Sequence, residues 1–207
     1  MCSSLTKITQ ALTLITANFL LVSSVQASAP ELIERLECEA CHGPGGVSTN
    51  TNIPSIAGLP EFNFIDQMLQ YGEGRPADTV KHVYGDTSKS GDMATIVKSL
   101  SEEEVEELAA HYSQLAFVRA KQDFDQSLAD KGKMIHEKNC DSCHVDGGSD
   151  PMDETSILAG QQKGYLLTTL KQFHSGARSV DKKMDSAVKG LSEDDLVALS
   201  EYYASFQ

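Results

Sequence analysis

Two copies of the pentapeptide Cys-x-x-Cys-His constrain this chain more than any other feature of its 207 residues. The copies are Cys38-Glu39-Ala40-Cys41-His42 and Cys140-Asp141-Ser142-Cys143-His144. This spacing is typical of c-type haem attachment, in which the two thiols form thioethers and the histidine ligates the iron. Because four of the five cysteines of the chain lie in these copies, the sequence predicts two covalently bound haems c.

The N-terminal segment predicts export from the cytoplasm. It has one positive charge at Lys7, an apolar stretch over 11–22 and small residues around Ala27, and this order is typical of a secretory signal peptide. We expect the signal peptide to span 1–27, with cleavage after Ala29 as the alternative. An uncleaved anchor is disfavoured because the apolar stretch is shorter than the about 20 residues of a spanning helix. A periplasmic protein without stable membrane insertion is therefore expected.

The two motifs belong to an internal repeat. At an offset of 102 residues, each cysteine and histidine of the first motif has its counterpart in the second. After Gly74 the offset falls to 91, and Met93 then matches Met184. The first half therefore holds about 11 additional residues between Gly74 and Met93. We place two haem domains at 28–119 and 120–207.

The apolar periodicity predicts the same helices in both halves, and no alternating β-branched run competes with them. A helix is expected before each motif, over about 30–38 and 126–139, and another after each Ala-Gly pair. A final helix begins at the capping signals Ser101 and Ser192. These final helices are expected to bury Val105, Leu108, Ala109, Tyr112, Leu196, Leu199, Tyr203 and Phe206. The sequence thus predicts an all-α protein.

A haem iron held by one histidine needs a sixth ligand, and the repeat supplies one candidate in each half. Of the methionines at 68, 93, 134, 152 and 184, only Met93 and Met184 occupy equivalent positions. Methionine opposite histidine completes the iron coordination and raises its potential, which suits electron transfer. We therefore predict Met93 and Met184 as iron ligands. Core filling is the usual alternative for methionine, and we expect it for Met68 and Met134.

His82 leaves one alternative open at the first motif. It lies within the additional segment, close in sequence to Met93, and ligation by His82 would make the first haem bis-histidine. The remaining histidines outside the motifs, at 111, 136 and 174, have no histidine at the equivalent position of the other half. We expect those three to be solvated or core residues.

The charge of the chain is strongly acidic and unevenly distributed. The net charge is −13, and residues 28–115 hold 15 acidic and 5 basic side chains against 15 and 11 in residues 116–207. This balance excludes nucleic acid as a partner, because the phosphate backbone would repel it. The five glutamates within 101–107 are expected to form a solvated helix face. The alternative is that the acidic first half attracts a basic redox partner.

Together these features resemble the diheme class I cytochromes of the cytochrome c4 family. The resemblance is carried by the duplicated haem motif, by the glycine-arginine turns Gly74-Arg75 and Gly176-Ala177-Arg178, and by the methionine before each Leu-Ser-Glu helix start. It covers essentially the whole chain after the signal peptide. It implies two tandem class I cytochrome c domains, related by a pseudo-twofold axis, with their haem edges close together.

The same resemblance implies the axial ligands and a partner. It assigns His42 and Met93 to one iron and His144 and Met184 to the other. Five stretches of the second half and its linker resemble the cytochrome subunit of flavocytochrome c sulfide dehydrogenase, namely 120–125, 127–130, 143–148, 157–161 and 182–184.

This second resemblance implies an FAD-containing flavoprotein that oxidises sulfide and passes electrons to the haems one at a time. The alternative is a free diheme carrier that passes electrons from a dehydrogenase to a terminal oxidase or another acceptor. The sequence contains no flavin or nucleotide motif and no catalytic constellation, so both functions are electron transfer.

Overall fold

The computed structural model describes residues 27–152 and 155–207, so the predicted signal peptide lies outside it apart from its last residue. The first half contains five α-helices, one 3₁₀ helix and one pair of short strands. In chain order these are α1 (Ala29–Arg35), α2 (Cys38–His42), the 3₁₀ helix (Pro44–Gly46), α3 (Glu61–Gly72), β1 (Val80–Lys81), β2 (Ser90–Gly91), α4 (Met93–Lys98) and α5 (Glu102–Ser113).

The second half repeats this plan without strands among its described residues. Its helices are α6 (Gln126–Asn139), α7 (Val145–Gly148), α8 (Lys163–Ser175), α9 (Lys182–Lys189) and α10 (Glu193–Ala204). Helix α6 has the bounds that the sequence predicted. Within the described ranges no helix is long and apolar enough to cross a membrane.

The final helices α5 and α10 begin at reciprocal capping boxes. The Glu104 N–H donates to Ser101 Oγ at 3.3 Å, and the Ser101 N–H donates back to Glu104 Oε2 at 3.1 Å. Ser192 and Asp195 form the same pair of bonds at 3.3 and 3.0 Å. Both predicted helix starts are therefore confirmed, because each box satisfies two backbone N–H groups that the helix itself leaves unpaired.

Each half has its own apolar core against its final helix. The first core consists of Leu32, Phe64, Met68, Val105, Leu108, Ala109 and Tyr112. The second half buries two neighbouring clusters, which are Leu166, Leu199, Tyr202 and Tyr203, and Phe173, Val188 and Leu196. Seven of the eight predicted core residues of the final helices are buried, and Phe206 is half-buried just after α10 ends.

The prediction that Met134 fills the core is wrong. Its side chain is 65% exposed, because α6 turns a different face toward α10. That face consists of Ala129, Gly132 and His136. A Cβ atom at Gly132 would lie 2.1 Å from the carbonyl oxygen of Ala198, so only glycine allows the two helices to pack this closely.

The additional segment of the first half forms a short hairpin, which the sequence did not predict. Strands β1 and β2 pair Val80 with Gly91 in antiparallel register. Beyond β1, the backbone N–H groups of Val83 and Tyr84 donate to the Ala40 carbonyl at 2.7 and 3.0 Å. The hairpin is thereby attached to the middle of the first haem motif.

The two halves are joined by hydrogen bonds that come mainly from the second half. Gln161 Nε2 donates to the Ser55 carbonyl at 2.9 Å, and its Oε1 accepts from the Ser55 N–H at 2.9 Å. Gln162 Nε2 donates to the Ser48 carbonyl at 2.6 Å. All four residues are buried. These bonds hold the two halves together through buried contacts.

Candidate functional site

The first motif lies on α2, which holds its histidine in one orientation. His42 is buried, and its Nδ1 lies 2.8 Å from the Pro54 carbonyl oxygen. Since a carbonyl only accepts, Nδ1 carries the hydrogen and Nε2 keeps the lone pair that a metal requires. Burial lowers the pKa of His42, which favours the neutral imidazole. This histidine is prepared for ligation by its backbone contact.

The second motif forms turns, whereas the first is helical. The His144 N–H donates to the Cys140 carbonyl at 2.9 Å, which closes one turn over the motif. Asp146 and Gly147 then have φ values of 51° and 77°, in the left-handed region. Cys143 is exposed, whereas Cys41 is half-buried. The second motif is thus the more accessible of the two.

A tyrosine from the final helix lies beside the first cysteine of each motif. Burial raises the pKa of the Cys38 thiol to about 11. Burial also raises the pKa of Cys140, against a hydrogen bond with Tyr203. The duplicated chain therefore places the same tyrosine-sulfur pair in both halves.

Met93 and Met184 lie in the first turns of equivalent helices. Asp92 caps α4 by accepting from the Thr95 N–H at 2.8 Å. Asp181 caps α9 by accepting from the N–H groups of Lys183 and Met184 at 2.8 and 3.3 Å. Both methionines are partly buried against their own cores.

One continuous cavity of about 1240 Å³ brings the predicted site residues together. It is lined by Cys38, Cys41, His42, Met93, Cys140, Cys143, His144 and Met184. This volume exceeds the roughly 300–1,000 Å³ that is usual for one small ligand. The cavity has room for more than a single group, and its lining is mainly apolar, as a porphyrin requires.

The other histidines fall into different environments. His82 lines the same cavity as Met93, and its buried Nδ1 has no hydrogen-bond partner among the described residues. The alternative of His82 as a ligand at the first motif therefore remains open. His136 is a buried core residue, which agrees with the expectation of a solvated or core histidine. His174 Nε2 lies 3.0 Å from the Leu191 carbonyl oxygen.

Two buried arginines at the interface were not predicted as site residues. Arg75 and Arg178 both donate to Gln67 Oε1, at 2.6 and 2.5 Å, and Arg178 also donates to Gln70 Oε1 at 2.9 Å. Neither forms an ion pair with a carboxylate of the described residues. The glycine-arginine turn that recurs in both halves is the sequence signal that could have identified these two arginines.

This arginine pair is suited to hold anions. Burial lowers the pKa of Arg178 to about 10, with a further contribution from the neighbouring positive charge of Arg75. The Nε of Arg75 is buried without a hydrogen-bond partner among the described residues. Both guanidinium groups line the cavity. Two buried cations without counterions fit the propionate carboxylates of haem, and the residues present therefore fit this cofactor.

Comparisons with known proteins extend over most of the chain. No family model matches it. Cytochrome c4 of Azotobacter vinelandii is 29% identical over 178 residues, which are 80% of this chain and 82% of that protein. A thiosulfate dehydrogenase electron acceptor of Thiomonas intermedia is 30% identical over 167 residues, 75% of this chain and 70% of that protein. The structure of reduced recombinant cytochrome c4 from Pseudomonas stutzeri matches with a TM-score of 0.66 and 25% identity, covering 88% of this chain and 100% of that one.

Proposed function

Because this chain belongs to the cytochrome c4 family of diheme class I cytochromes c, we propose that it is a periplasmic electron carrier with two haem c groups attached at its two motifs. The observation that carries this proposal is the single cavity on which both motifs and both candidate methionines open. When bound, each haem supplies an iron that gains or loses one electron.

The residues of each half have defined roles in this proposal. Cys38 and Cys41 attach one haem covalently, and Cys140 and Cys143 attach the other. The Pro54 carbonyl orients His42 so that Nε2 is presented to the iron.

His42 and Met93 would hold the iron of one haem, and His144 and Met184 would hold the iron of the other. With this ligation each haem would supply one-electron chemistry without binding a substrate molecule. Arg75 and Arg178, buried without a carboxylate partner among the described residues, would neutralise haem propionates.

The finer proposal concerns the electron donor. We propose an FAD-containing, sulfide-oxidising flavoprotein as a permanent partner, because the stretches 157–161 and 182–184 resemble the cytochrome subunit of flavocytochrome c sulfide dehydrogenase. A second candidate donor is a thiosulfate dehydrogenase, since the relative from Thiomonas intermedia is described as the electron acceptor of that enzyme.

Gel filtration of the natively produced periplasmic fraction shows whether a flavoprotein partner is bound. Haem absorbance and flavin fluorescence are recorded across the elution profile. Flavin that elutes with haem at the mass of a heterodimer supports the flavoprotein partner. A flavin-free peak at the mass of the single chain contradicts a permanent flavoprotein complex and leaves a free carrier.

The free carrier is then mixed with thiosulfate dehydrogenase and thiosulfate. Haem reduction supports that donor, and absence of reduction excludes it. Haem absorbance found only in the cytoplasmic fraction would contradict the periplasmic assignment.

A further inference from the structure

One peptide group of the first half, the one that joins Pro54 to Ser55, is hydrogen-bonded at both of its polar atoms. Its carbonyl oxygen, on Pro54, accepts from His42 Nδ1 at 2.8 Å. Its N–H, on Ser55, donates to Oε1 of Gln161 in the second half at 2.9 Å. His42, Ser55 and Gln161 are all buried. A chain of hydrogen bonds therefore leads from a side chain of the second half to the candidate iron ligand of the first half.

The Gln161 side chain is held in place at the end of this chain of bonds. Its Nε2 donates to the Ser55 carbonyl at 2.9 Å, so both backbone groups of Ser55 are bonded to the same amide. Its Oε1 also accepts from the Gln162 N–H at 2.9 Å. The Gln161 backbone carbonyl accepts from Gln122 Nε2 at 2.8 Å. The amide oxygen that accepts from the Ser55 N–H therefore has a fixed position.

The repeat does not supply this link in the opposite direction. At the offset of 102 residues, the position equivalent to Gln161 in the first half is Leu59. Leu59 packs against the first apolar core, and its side chain has no atom that accepts a hydrogen bond. Leu59 therefore cannot act on His144 as Gln161 acts on His42.

A chain of hydrogen bonds affects the histidine because its members polarise one another. When Gln161 Oε1 accepts from the Ser55 N–H, electron density in the peptide group moves toward the Pro54 oxygen. That oxygen then accepts more strongly from His42 Nδ1, and this makes Nε2 a more basic ligand. A more basic ligand stabilises the higher charge of oxidised iron, which lowers the reduction potential.

We propose that Gln161 is a positioning residue that, through the peptide group between Pro54 and Ser55, lowers the reduction potential of the haem attached at Cys38 and Cys41. The second half thus contributes to the potential of the first haem as well as to the junction. The inference rests on the proposed attachment of haem c in the first half, with His42 as its iron ligand.

The test is a spectroelectrochemical titration of the complete diheme protein carrying Gln161→Leu. We expect the first potential to shift upward, while the second stays unchanged. Gln162→Leu is the matched control, because it removes the bond to the Ser48 carbonyl across the same junction and leaves the Ser55 N–H bonded. Both potentials should stay unchanged in this control. A variant without the two cysteines of the second motif assigns each potential to its haem.

The proton resonance of His42 Nδ1–H in the reduced protein reports the hydrogen bond itself. A weaker hydrogen bond moves this resonance upfield, so we expect an upfield shift in Gln161→Leu and none in Gln162→Leu. A higher first potential without the upfield shift overturns the proposal. Equal shifts of both potentials, or equal shifts in the two leucine variants, overturn it as well.

Gln161→Glu decides the question even where Gln161→Leu does not fold. Its carboxyl oxygen retains an acceptor for the Ser55 N–H, so the His42 Nδ1–H resonance should lie at or downfield of its wild-type position. An upfield position in this variant contradicts the proposal.

The haem content separates this inference from the proposed function. Two haems c per chain with a first potential that does not respond to Gln161→Leu contradict the inference alone. Fewer than two haems c in the wild-type protein contradict the proposed function itself.

Discussion

In the first half of this protein the haem motif is supported by the hairpin segment, whereas in the second half it is supported by the helix that precedes it. In the first half, α1 ends at Arg35, and the hairpin segment binds the motif through the Ala40 carbonyl. In the second half, α6 runs directly into the motif and packs closely on α10 through Gly132. Both arrangements leave the cysteines and histidine on the same cavity.

The two halves share the residues of the candidate haem sites and differ in the segments that support them. The motif cysteines and histidines, the late methionines, the tyrosine beside the first cysteine and the interface arginines recur in both halves. The supports around the motifs do not recur. Chemistry at the iron demands particular atoms at particular places, while the support only has to be rigid.

The largest predicted effect is the loss of one of the two haems when the cysteines of one motif are replaced. Replacing Cys140 and Cys143 with alanine should abolish covalent attachment at the second motif and leave one haem per chain instead of two. The pyridine haemochrome spectrum, referred to protein concentration, measures this ratio. Replacing Cys38 and Cys41 is the matched variant, and the expectation fails if either variant retains two covalent haems.

Ligand variants sharpen the comparison at the iron. Met93→Ala and Met184→Ala should each remove about half of the near-infrared methionine-to-iron charge-transfer absorbance of the oxidised protein, because each half supplies one methionine. Met68→Leu is the control in the core and should leave the band intact.

The same band decides between Met93 and His82. If Met93 is the ligand, His82→Ala leaves the band unchanged. If the wild-type protein shows only one methionine band and Met93→Ala does not reduce it, the bis-histidine alternative is correct.

Gly132→Ala tests the helix-side support. The added Cβ would meet the Ala198 carbonyl at 2.1 Å, and we expect a loss in the free energy of unfolding at the upper end of about 1–3 kcal/mol. Gly91→Ala in the first half is the control, since nothing lies within 4 Å of its added Cβ. Thermal and denaturant unfolding measure both variants. Equal losses in the free energy of unfolding for Gly132→Ala and Gly91→Ala would contradict the close contact of α6 with α10.

Gln161→Leu tests the one-sided junction between the halves. The repeat places Leu59 at the equivalent position of the first half, so this change makes the halves alike. Loss of the two bonds to Ser55 should cost about 1–3 kcal/mol, at roughly 0.5–1.5 kcal/mol for each hydrogen bond. Limited proteolysis between 114 and 125 should become faster, and an unchanged cleavage rate would contradict the role of this glutamine.

The smallest predicted effect depends on pH and on the cap of α10. Hydrogen bonds from Lys131 and from Ser192 lower the pKa of Asp195 to about 2. Because the folded-state pKa is below the unfolded value of about 3.9, the stabilisation is present above about pH 4 and is lost as pH falls toward 2. Asp195 is only partly buried, so we expect less than about 1 kcal/mol.

Asp195→Asn should therefore differ from wild type at pH 6 and converge with it at pH 2 to 3, measured as the free energy of unfolding. Asp194→Asn, in the same helical turn, leaves the capping box intact and serves as the control. A constant difference between Asp195→Asn and wild type across this pH range would show that the carboxylate is not responsible.

Residues that repeat made the fold predictable from sequence. The duplicated motif and capping signals predicted two helical domains of the same plan, and the match to the cytochrome c4 structure confirms the two tandem cytochrome c domains. The core face of α5 was predictable because Val105, Leu108, Ala109 and Tyr112 follow helical spacing. The assignment of Met93 and Met184 as ligands stays a prediction.

Features that depend on close packing were not predictable. Met134 fits the apolar pattern of α6, but the contact of Gly132 with α10 determines which face is buried. Glu37 interrupts the first helix with a φ of 53°, which no propensity indicates for glutamate. The strands of the hairpin are two residues long, too short for any period to appear. The burial of Arg75 and Arg178 follows from the docking of the halves and not from local sequence.

The central claim is that both halves of one chain carry a working one-electron centre. Coulometric reduction of the purified holoprotein tests this most directly, with the charge referred to the concentration of chains. The account predicts uptake of two electrons per chain in two one-electron steps, each accompanied by the spectral change of a c-type haem. Uptake of one electron per chain, or of two electrons with only one haem changing its spectrum, would contradict it.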